Sequence, residues 1–526
     1  MNQTYPAIIV AMIIAFSTSF GKTDGAPTND SPKGVGKPNI LFIIVDQLFA
    51  DALSCRMGTQ YLHTPAVDSI AKKGMFFTRA YAANPLCVPS RCSIMTGRYP
   101  HETGTENNAT FRTGLKLDPS EFKNMGEYFR EAGYQTVYFG KRHLCFDVDK
   151  SFESPGQPPP FGHDIKTTAD AIAFLSKKHE RPYLAVISFI NPHNVCELFR
   201  HQELPDGPIG NPPPPEQCPP VPPNIAPQEN GPDSLISPKW KVEVNDYAPS
   251  ATPDDWRRLR WGYYRLIEKV DAQIGEVLDA LQKSGQAANT LLVFTSDHGE
   301  AAGAHGWHQK VVFYDESARV PLIVSLKCET KTGINDKLVN TGLDILPTLL
   351  DYAGIPQPPK LTGRSLRTLA AGHPVNEWRD HIVAEDDFSN SSPMEVWSSH
   401  FKRYITINPE RTELLNQKAA AWGNLEGRML RSEHYKYCIY NYGERRESLV
   451  DMDKDPEETK NLAVDPKYHA ILLQHRALLA KFGAESKDPL VRLLLADDVK
   501  PIPFPSPPPD LLKTEKEDRA AKDNGG

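Results

Sequence analysis

Four short runs, ILFIIV at residues 40–45, TVYF at 136–139, YLAVISFI at 183–190 and LLVFT at 291–295, are apolar almost without interruption. A strand with one wet face alternates apolar and polar residues, so continuous runs of this length predict strands covered on both faces, as in a parallel sheet flanked by helices. Helix-like stretches lie between them, at residues 121–132 and, strongly amphipathic, at 256–283. This alternation predicts an α/β fold. Polar groups follow each run at once: Asp46 and Gln47 after the first, Lys141 and His143 after the second, His193 after the third, Asp297 and His298 after the fourth. Ligands of open α/β sheets bind outside the carboxyl ends of the strands, so the four segments are expected to deliver their side chains to one crevice.

A fifth segment, NPLCVPSRCSIMTGRYPH at 84–101, reads as a loop entering a helix, with Cys87 at its mouth. Unpaired backbone N–H groups and the positive end of the helix dipole favour an anionic side chain or ligand there. An isolated cysteine is more often inert packing, and only the rest of the chain lifts Cys87 above that reading. The formal net charge of −7 over 526 residues excludes wholesale nucleic-acid binding, so any anion must be held by a local cation cluster. The other seven of the eight cysteines show no paired short spacing, which excludes a zinc ribbon or a dense disulfide framework and leaves the pairing open.

Residues 1–21 resemble a secretory signal peptide, with an apolar run at 7–16 too short to span a bilayer. Because no Lys or Arg precedes the run, an uncleaved anchor is the alternative. No later stretch is apolar enough to cross a membrane, so a secreted or periplasmic protein without stable membrane association after cleavage is expected. Residues 204–238 are crowded with proline and read as a surface insertion: either a stiff polyproline loop without function or, by their closeness to His193, a wall of the crevice mouth. A boundary near residues 384–390 separates a main domain, 37–385, from a smaller α+β subdomain, 386–485. That subdomain has strands at 403–407, 435–440 and 447–452 and a helix at 466–482. Residues 486–526 read as a Pro- and charge-rich tail. RRLRWGYYR at 257–265 fits an ordinary amphipathic helix face better than a glycan surface, and Trp397, His400 and Arg403 are placed at an outer subsite.

CVPSRCSIMTGR resembles the C-x-P-S-R…T-G-R signature of the type I, formylglycine-dependent sulfatases of the alkaline phosphatase superfamily. PNILFIIVDQL, GYQTVYFGKRHL, NPH at 191–193, TSDHGEAAGAHGWHQK, YDESARVPLIV, LDILPTLLDYAGIP and LVDMDKDPEETKNL follow in the family's order, covering residues 37 to about 462. The resemblance implies an alkaline phosphatase-like fold, a large mixed and mainly parallel sheet flanked by helices. It also implies that Cys87 is oxidised by a formylglycine-generating enzyme to Cα-formylglycine. Arg91 would orient that side chain, Lys141 and Lys310 would clamp the sulfate, His193 would protonate the leaving alcohol and His143 would assist sulfate release. Asp46, Gln47, Asp297 and His298, with the oxygen of the modified Cys87, would hold one divalent cation. The family often has Asp at position 47 and Asn at 298, so Gln47 removes a charge and His298 is either a ligand or a group just behind one. Oxygen-rich donors favour Ca²⁺, with Mg²⁺ or Mn²⁺ open. His305 is at most an accessory contact. The expected activity is sulfate release from a sulfated saccharide; a phosphonate monoester or phosphodiester hydrolase of the same superfamily is the nearest alternative, and a non-catalytic glycan binder a distant one.

Overall fold

The computed structural model describes residues 37–108, 117, 121–160, 162–200, 202–236, 251–387, 395–398, 403–406 and 426–496. Its main sheet contains β1 (Asn39–Asp46), β2 (Met75–Phe77), β3 (Gln135–Gly140), β4 (Ser154–Pro155), β5 (Tyr183–Pro192), β6 (Thr290–Ser296), β7 (Leu322–Ser325) and β8 (Gly333–Asn335). They lie in the order β4-β3-β5-β1-β6-β7-β2-β8. Neighbours are parallel except at β7, which runs antiparallel to both β6 and β2.

The four apolar runs are the four central strands, and their period of two explains why they carry no polar face. Leu41, Ile43 and Val45 point to one side with Ala185, Ile187 and Phe294, where α3 (Ile165–Leu175) and α4 (Pro253–Lys283) cover them. Ile40, Phe42 and Ile44 point to the other side with Leu184, Val186 and Val293. There α1 (Cys87–Thr96), α2 (Met125–Glu131) and α5 (Thr341–Tyr352) close the core. The helix expected over 121–132 starts only at Met125, because the Asn124 side chain accepts the Glu127 N–H and Glu127 bonds back to the Asn124 N–H. α1 and α5 approach so closely that a Cβ on Gly342 would fall 2.5 Å from Ala83 Cβ and 2.7 Å from Ser93 Cβ.

The second sheet is antiparallel: β9 (His381–Asp387), β10 (Glu426–Ser432), β11 (Tyr435–Tyr440) and β12 (Glu447–Asp451) in sequence order. One face packs Val383, Leu430, Tyr437 and Leu449 against α6 (His469–Ser486) and α7 (Pro489–Leu495). The other packs Ile382, Ala384, Met429 and Tyr440 against Tyr81, Trp307, Phe313 and Tyr314 of the main body. The smaller sheet is therefore a wall of the larger unit. α7 falls where the sequence reads as tail. Pro489 opens it after the Asp488 cap, Val491 and Leu494 are buried, and Arg428 Nε donates to Asp488 at 2.6 Å. The leader at 1–21 and the chain beyond 496 lie outside the described residues. No helix among the described residues is long and apolar enough to cross a membrane.

Candidate active site

Strand register brings the polar groups to one level. Asp46 at the end of β1 is opposite Pro192 of β5, and Val45 is opposite Ser296 of β6, so His193 and Asp297 emerge beside Asp46. β3 ends at Gly140 opposite Ser188, and the Lys141 N–H donates to the Ser188 carbonyl at 2.8 Å. Gln47 turns the chain off β1 with φ of 70°; its N–H donates to Asp297 Oδ1 at 3.1 Å and its carbonyl accepts from Tyr263 of α4 at 2.7 Å.

Cys87 opens α1 from Leu86, an extended N-cap residue with no side-chain cap. Its sulfur is buried and crowded by opposite charges. Lys310 Nζ lies at 3.0 Å, His298 Nε2 at 3.2 Å, Lys141 Nζ at 3.9 Å and Asp46 Oδ1 at 3.9 Å. His143 and His193 also bond the Cys87 side chain. One turn along α1, the fully buried Arg91 donates to Asp297 Oδ2 at 2.7 Å, to Asp46 Oδ2 at 2.9 Å and to Ser188 Oγ at 2.6 Å. Lys141 Nζ adds a contact to Asp46 Oδ2 at 2.6 Å. All ten residues singled out in the sequence meet in this one cluster, His143 and His193 half-buried at its edge and the others buried.

Burial penalises every charge here, and the neighbours decide which charges persist. Burial and Asp46 push the Cys87 thiol up, but Lys141, Lys310 and His298 outweigh them and hold it well below the ordinary range. Burial opposes ionisation of Asp46 too, yet Lys141, His193, Arg91 and Lys310 bring it well below the usual carboxylate value. Asp297 moves the other way, raised to about 6 by burial and by the Asp46 charge against the pull of Arg91. Burial, then Lys310 and Lys141, lower His193 to about 3; burial and Lys141 lower His143 to about 4. Both imidazoles are therefore held toward the neutral form.

The donor set suits a hard divalent cation. Ligand atoms of Asp46, Cys87, Asp297 and His298 lie within 4.8 Å of one another. The shorter separations are 3.2 Å from Cys87 Sγ to His298 Nε2, and 3.7 and 3.8 Å from that nitrogen to Asp297 and Asp46 Oδ1. His298 Nδ1 sits 2.9 Å from the Gly299 carbonyl, which can only accept; Nδ1 therefore carries a proton, and Nε2 is the nitrogen that faces the cluster.

Three supports escaped the sequence reading. Ser188 is a polar residue inside the apolar run of β5, and its purpose is visible only beside Arg91. Cys92 and Cys145 form a disulfide across 53 residues, tying α1 to the loop that carries Lys141 and His143. Glu300, within the quoted TSDHGE segment, bonds Gln47 Nε2 at 2.5 Å. Of the outlying expectations, three of the four arginines of 257–265 are anchored: Arg257, Arg260 and Arg265 donate to the carbonyls of Pro215, Ala302 and Tyr61, while Leu259, Tyr263 and Tyr264 enter the core. His305 stacks on Tyr314 with ring centroids 3.7 Å apart, and its N–H bonds the Asn224 carbonyl of the proline insertion at 2.6 Å. That insertion is more than a surface drape, since Cys218, Asn224, Gln228 and Ser234 are buried. Trp397 and Arg403 belong to a two-stranded antiparallel pair, Glu395–Ser398 with Arg403–Thr406, and His400 lies outside the described residues.

Comparison with known proteins agrees with this geometry. The family described as Sulfatase matches residues 38–355. A Delta 4,5-hexuronate-2-O-sulfatase from Bacteroides thetaiotaomicron is 31% identical over 471 residues, 86% of this chain and 90% of that protein. An N-acetylglucosamine-6-O-sulfatase from the same organism is 28% identical over 82% of this chain and 90% of its own length. The solved structure of a 2-O GAG sulfatase superposes with a TM-score of 0.72 at 29% identity, covering 86% of this chain and 93% of that one. A cysteine held by two lysines over a carboxylate cluster, on a sheet of this topology and in a chain with these relatives, leads to one conclusion: the protein belongs to the sulfatase family.

Proposed function

We propose that the protein hydrolyses a sulfate ester of a carbohydrate. The observation that carries this reading is the Cys87 sulfur at the start of α1, with Lys310 Nζ at 3.0 Å, Lys141 Nζ at 3.9 Å and His298 Nε2 at 3.2 Å. The activities named for the relatives support the substrate class. In this reading Cys87 is oxidised to formylglycine during maturation by a formylglycine-generating enzyme, and the hydrated aldehyde supplies one hydroxyl for attack on sulfur and a second for release of sulfate. A divalent cation, best matched by Ca²⁺, would be held by Asp46, Gln47, Asp297, His298 and the modified residue, and would supply Lewis acidity.

The remaining groups act through charge and proton position. Lys141 and Lys310 hold the sulfate oxygens where negative charge grows as the S–O bond breaks. Burial and, after it, the two lysine charges keep His193 neutral; a bound sulfate ester offsets the lysine part and so favours the proton that His193 gives to the departing alcohol oxygen. His143 serves as the base for release. Arg91 touches no substrate in this scheme; it keeps Asp46 and Asp297 ionised side by side. The buried Cys92–Cys145 disulfide and the leader both favour a secreted or periplasmic location.

The test is anion release from sulfated mono- and oligosaccharides, an aryl sulfate and a phosphonate ester, using protein co-produced with the maturation enzyme. Sulfate release that disappears in Cys87→Ala is the expected result. Faster turnover of the phosphonate, or undiminished release by Cys87→Ala, overturns the proposal.

A further inference from the structure

Gln47 poses a problem that its neighbours solve. A side-chain amide can turn either its oxygen or its NH₂ toward a cation, and only the oxygen coordinates. Gln47 is fully buried, and on one side its Nε2 lies 2.5 Å from Glu300 Oε2. On the other side Lys310 Nζ, a pure donor, meets Gln47 Oε1 at 3.0 Å while also touching Cys87 Sγ at 3.0 Å. Glu300, also fully buried, is committed as an acceptor throughout. Its Oε1 takes the backbone N–H groups of Ala302 at 2.9 Å and Gln309 at 2.7 Å, which leaves Oε2 for the amide. An acceptor at one end and a donor at the other allow the amide one orientation.

We infer that Glu300 is the positioning residue that turns Gln47 Oε1 toward the Asp46–Cys87–Asp297–His298 cluster and keeps, one hydrogen bond further out, the negative charge that a carboxylate at position 47 would have brought. The inference rests on the divalent-cation reading above. A carboxylate behind a coordinating amide polarises it and makes its oxygen a better ligand, as outer partners do for other metal-bound side chains. The same bonds fix the 300–309 loop, because Oε1 of Glu300 closes it from Ala302 to Gln309, one residue before Lys310.

The geometry makes a swap experiment decisive. In Glu300→Gln, Oε1 keeps both backbone bonds, but an NH₂ replaces Oε2 and meets the Gln47 NH₂ donor to donor. Gln47 must then turn over and present its NH₂ to the cation. In the double variant Q47E/E300Q the pattern is restored in reverse: the amide introduced at position 300 donates to the carboxylate introduced at position 47, whose second oxygen faces the cluster. The measurement is the Ca²⁺ dissociation constant of the full-length, EDTA-treated protein by calorimetry, with the Ca²⁺-induced rise in melting temperature as a second readout; neither needs turnover. Expected is a weakening of about 10- to 100-fold in E300Q and recovery in Q47E/E300Q to within about threefold of the parent. A merely structural role for Glu300 would leave the double variant as weak as the single one, and that result overturns the inference, as does an unchanged constant in E300Q. Should E300Q not fold, the folded double variant still decides, since its affinity must match the parent. A parent that binds neither Ca²⁺, Mg²⁺ nor Mn²⁺ overturns the cation reading and this inference with it, whereas a binding parent with an indifferent E300Q overturns the inference alone.

Discussion

Arg91→Met tests the electrostatic heart of the site. The substitution keeps roughly the side-chain volume and deletes two charge-assisted bonds, to Asp297 Oδ2 at 2.7 Å and Asp46 Oδ2 at 2.9 Å, plus one to Ser188 Oγ. Bonds of this kind contribute about 1.5–3 kcal/mol each, and breaking a buried ion pair from one side costs about 3–5 kcal/mol. The loss falls on Asp297, because Asp46 retains Lys141 at 2.6 Å while Asp297 keeps only the backbone N–H groups of Gln47 and His298 on Oδ1 and the more distant His298 ring. Asp297 already titrates at about 6 in the folded protein, against 3.8 for the unperturbed carboxyl. A carboxyl raised in this way loses stability as pH climbs from its unfolded to its folded value, and without Arg91 that window extends further upward. At pH 5 protonating Asp297 costs the variant little and avoids most of the penalty; at pH 8 the same protonation carries a free-energy cost that grows with each pH unit above the parent's value of about 6. With an unfolding entropy of about 1 kcal/mol/K for a chain this long, 4 kcal/mol corresponds to about 4 °C. The assay is thermal unfolding of parent and variant in EDTA at both pH values. A deficit near 4 °C at pH 8 and near 1 °C at pH 5 is expected. Equal deficits at the two values, or less than 1 °C at pH 8, would refute the claim that Arg91 works by keeping Asp297 ionised.

Cys92→Ala/Cys145→Ala opens a loop of 53 residues, for which chain entropy gives about 4 kcal/mol, again about 4 °C in melting temperature. Because the bridge steadies the Lys141 and His143 loop, kcat should fall more than KM rises, and a reductant added to the parent should reproduce both effects. His101 sets a pH dependence far from the catalytic cluster: burial opposes its charge, but Glu385 at 2.5 Å and the Ser486 carbonyl at 3.1 Å raise it to about 9. Its contribution is complete below pH 6.5 and lost as pH rises through 9, so the parent should lose roughly 2–3 kcal/mol over that interval while His101→Gln stays flat; parallel pH–stability curves would count against the assignment.

How much of this was legible in the sequence follows from the range over which each feature is encoded. The central strands were readable because burial on both faces removes the polar alternation locally, and seven of the site residues because they follow such a strand directly; Cys87, Arg91 and Lys310 were readable only through the motifs that contain them. Register then does the rest, since pairing β1 with β5 and β6 sets Asp46 opposite Pro192 and Val45 opposite Ser296. α7 was missed for the opposite reason. DPLVRLLLADD lies in a Pro- and charge-rich context, and only the Asp488–Arg428 pair and the shelf formed by β9 to β12 show that it is packed structure.

The groups that hold the reactive side chains in place were illegible on physical grounds. Ser188 meets Arg91 across 97 residues, Cys145 meets Cys92 across 53 and Glu300 meets Gln47 across 253. None of the three has a local signature, because a buried hydrogen-bond acceptor or thiol is chosen for a partner that the fold delivers from elsewhere. His298 shows the two levels in one residue. Its position after Asp297 places it in the crevice from sequence alone. Which of its two nitrogens faces that crevice is decided by the Gly299 carbonyl at its Nδ1, a backbone contact that exists only once the chain turns beyond β6. A departure from a family's usual residue, such as Gln47 or His298, is therefore best judged by the partner that fixes its orientation: at both positions the structure supplies one.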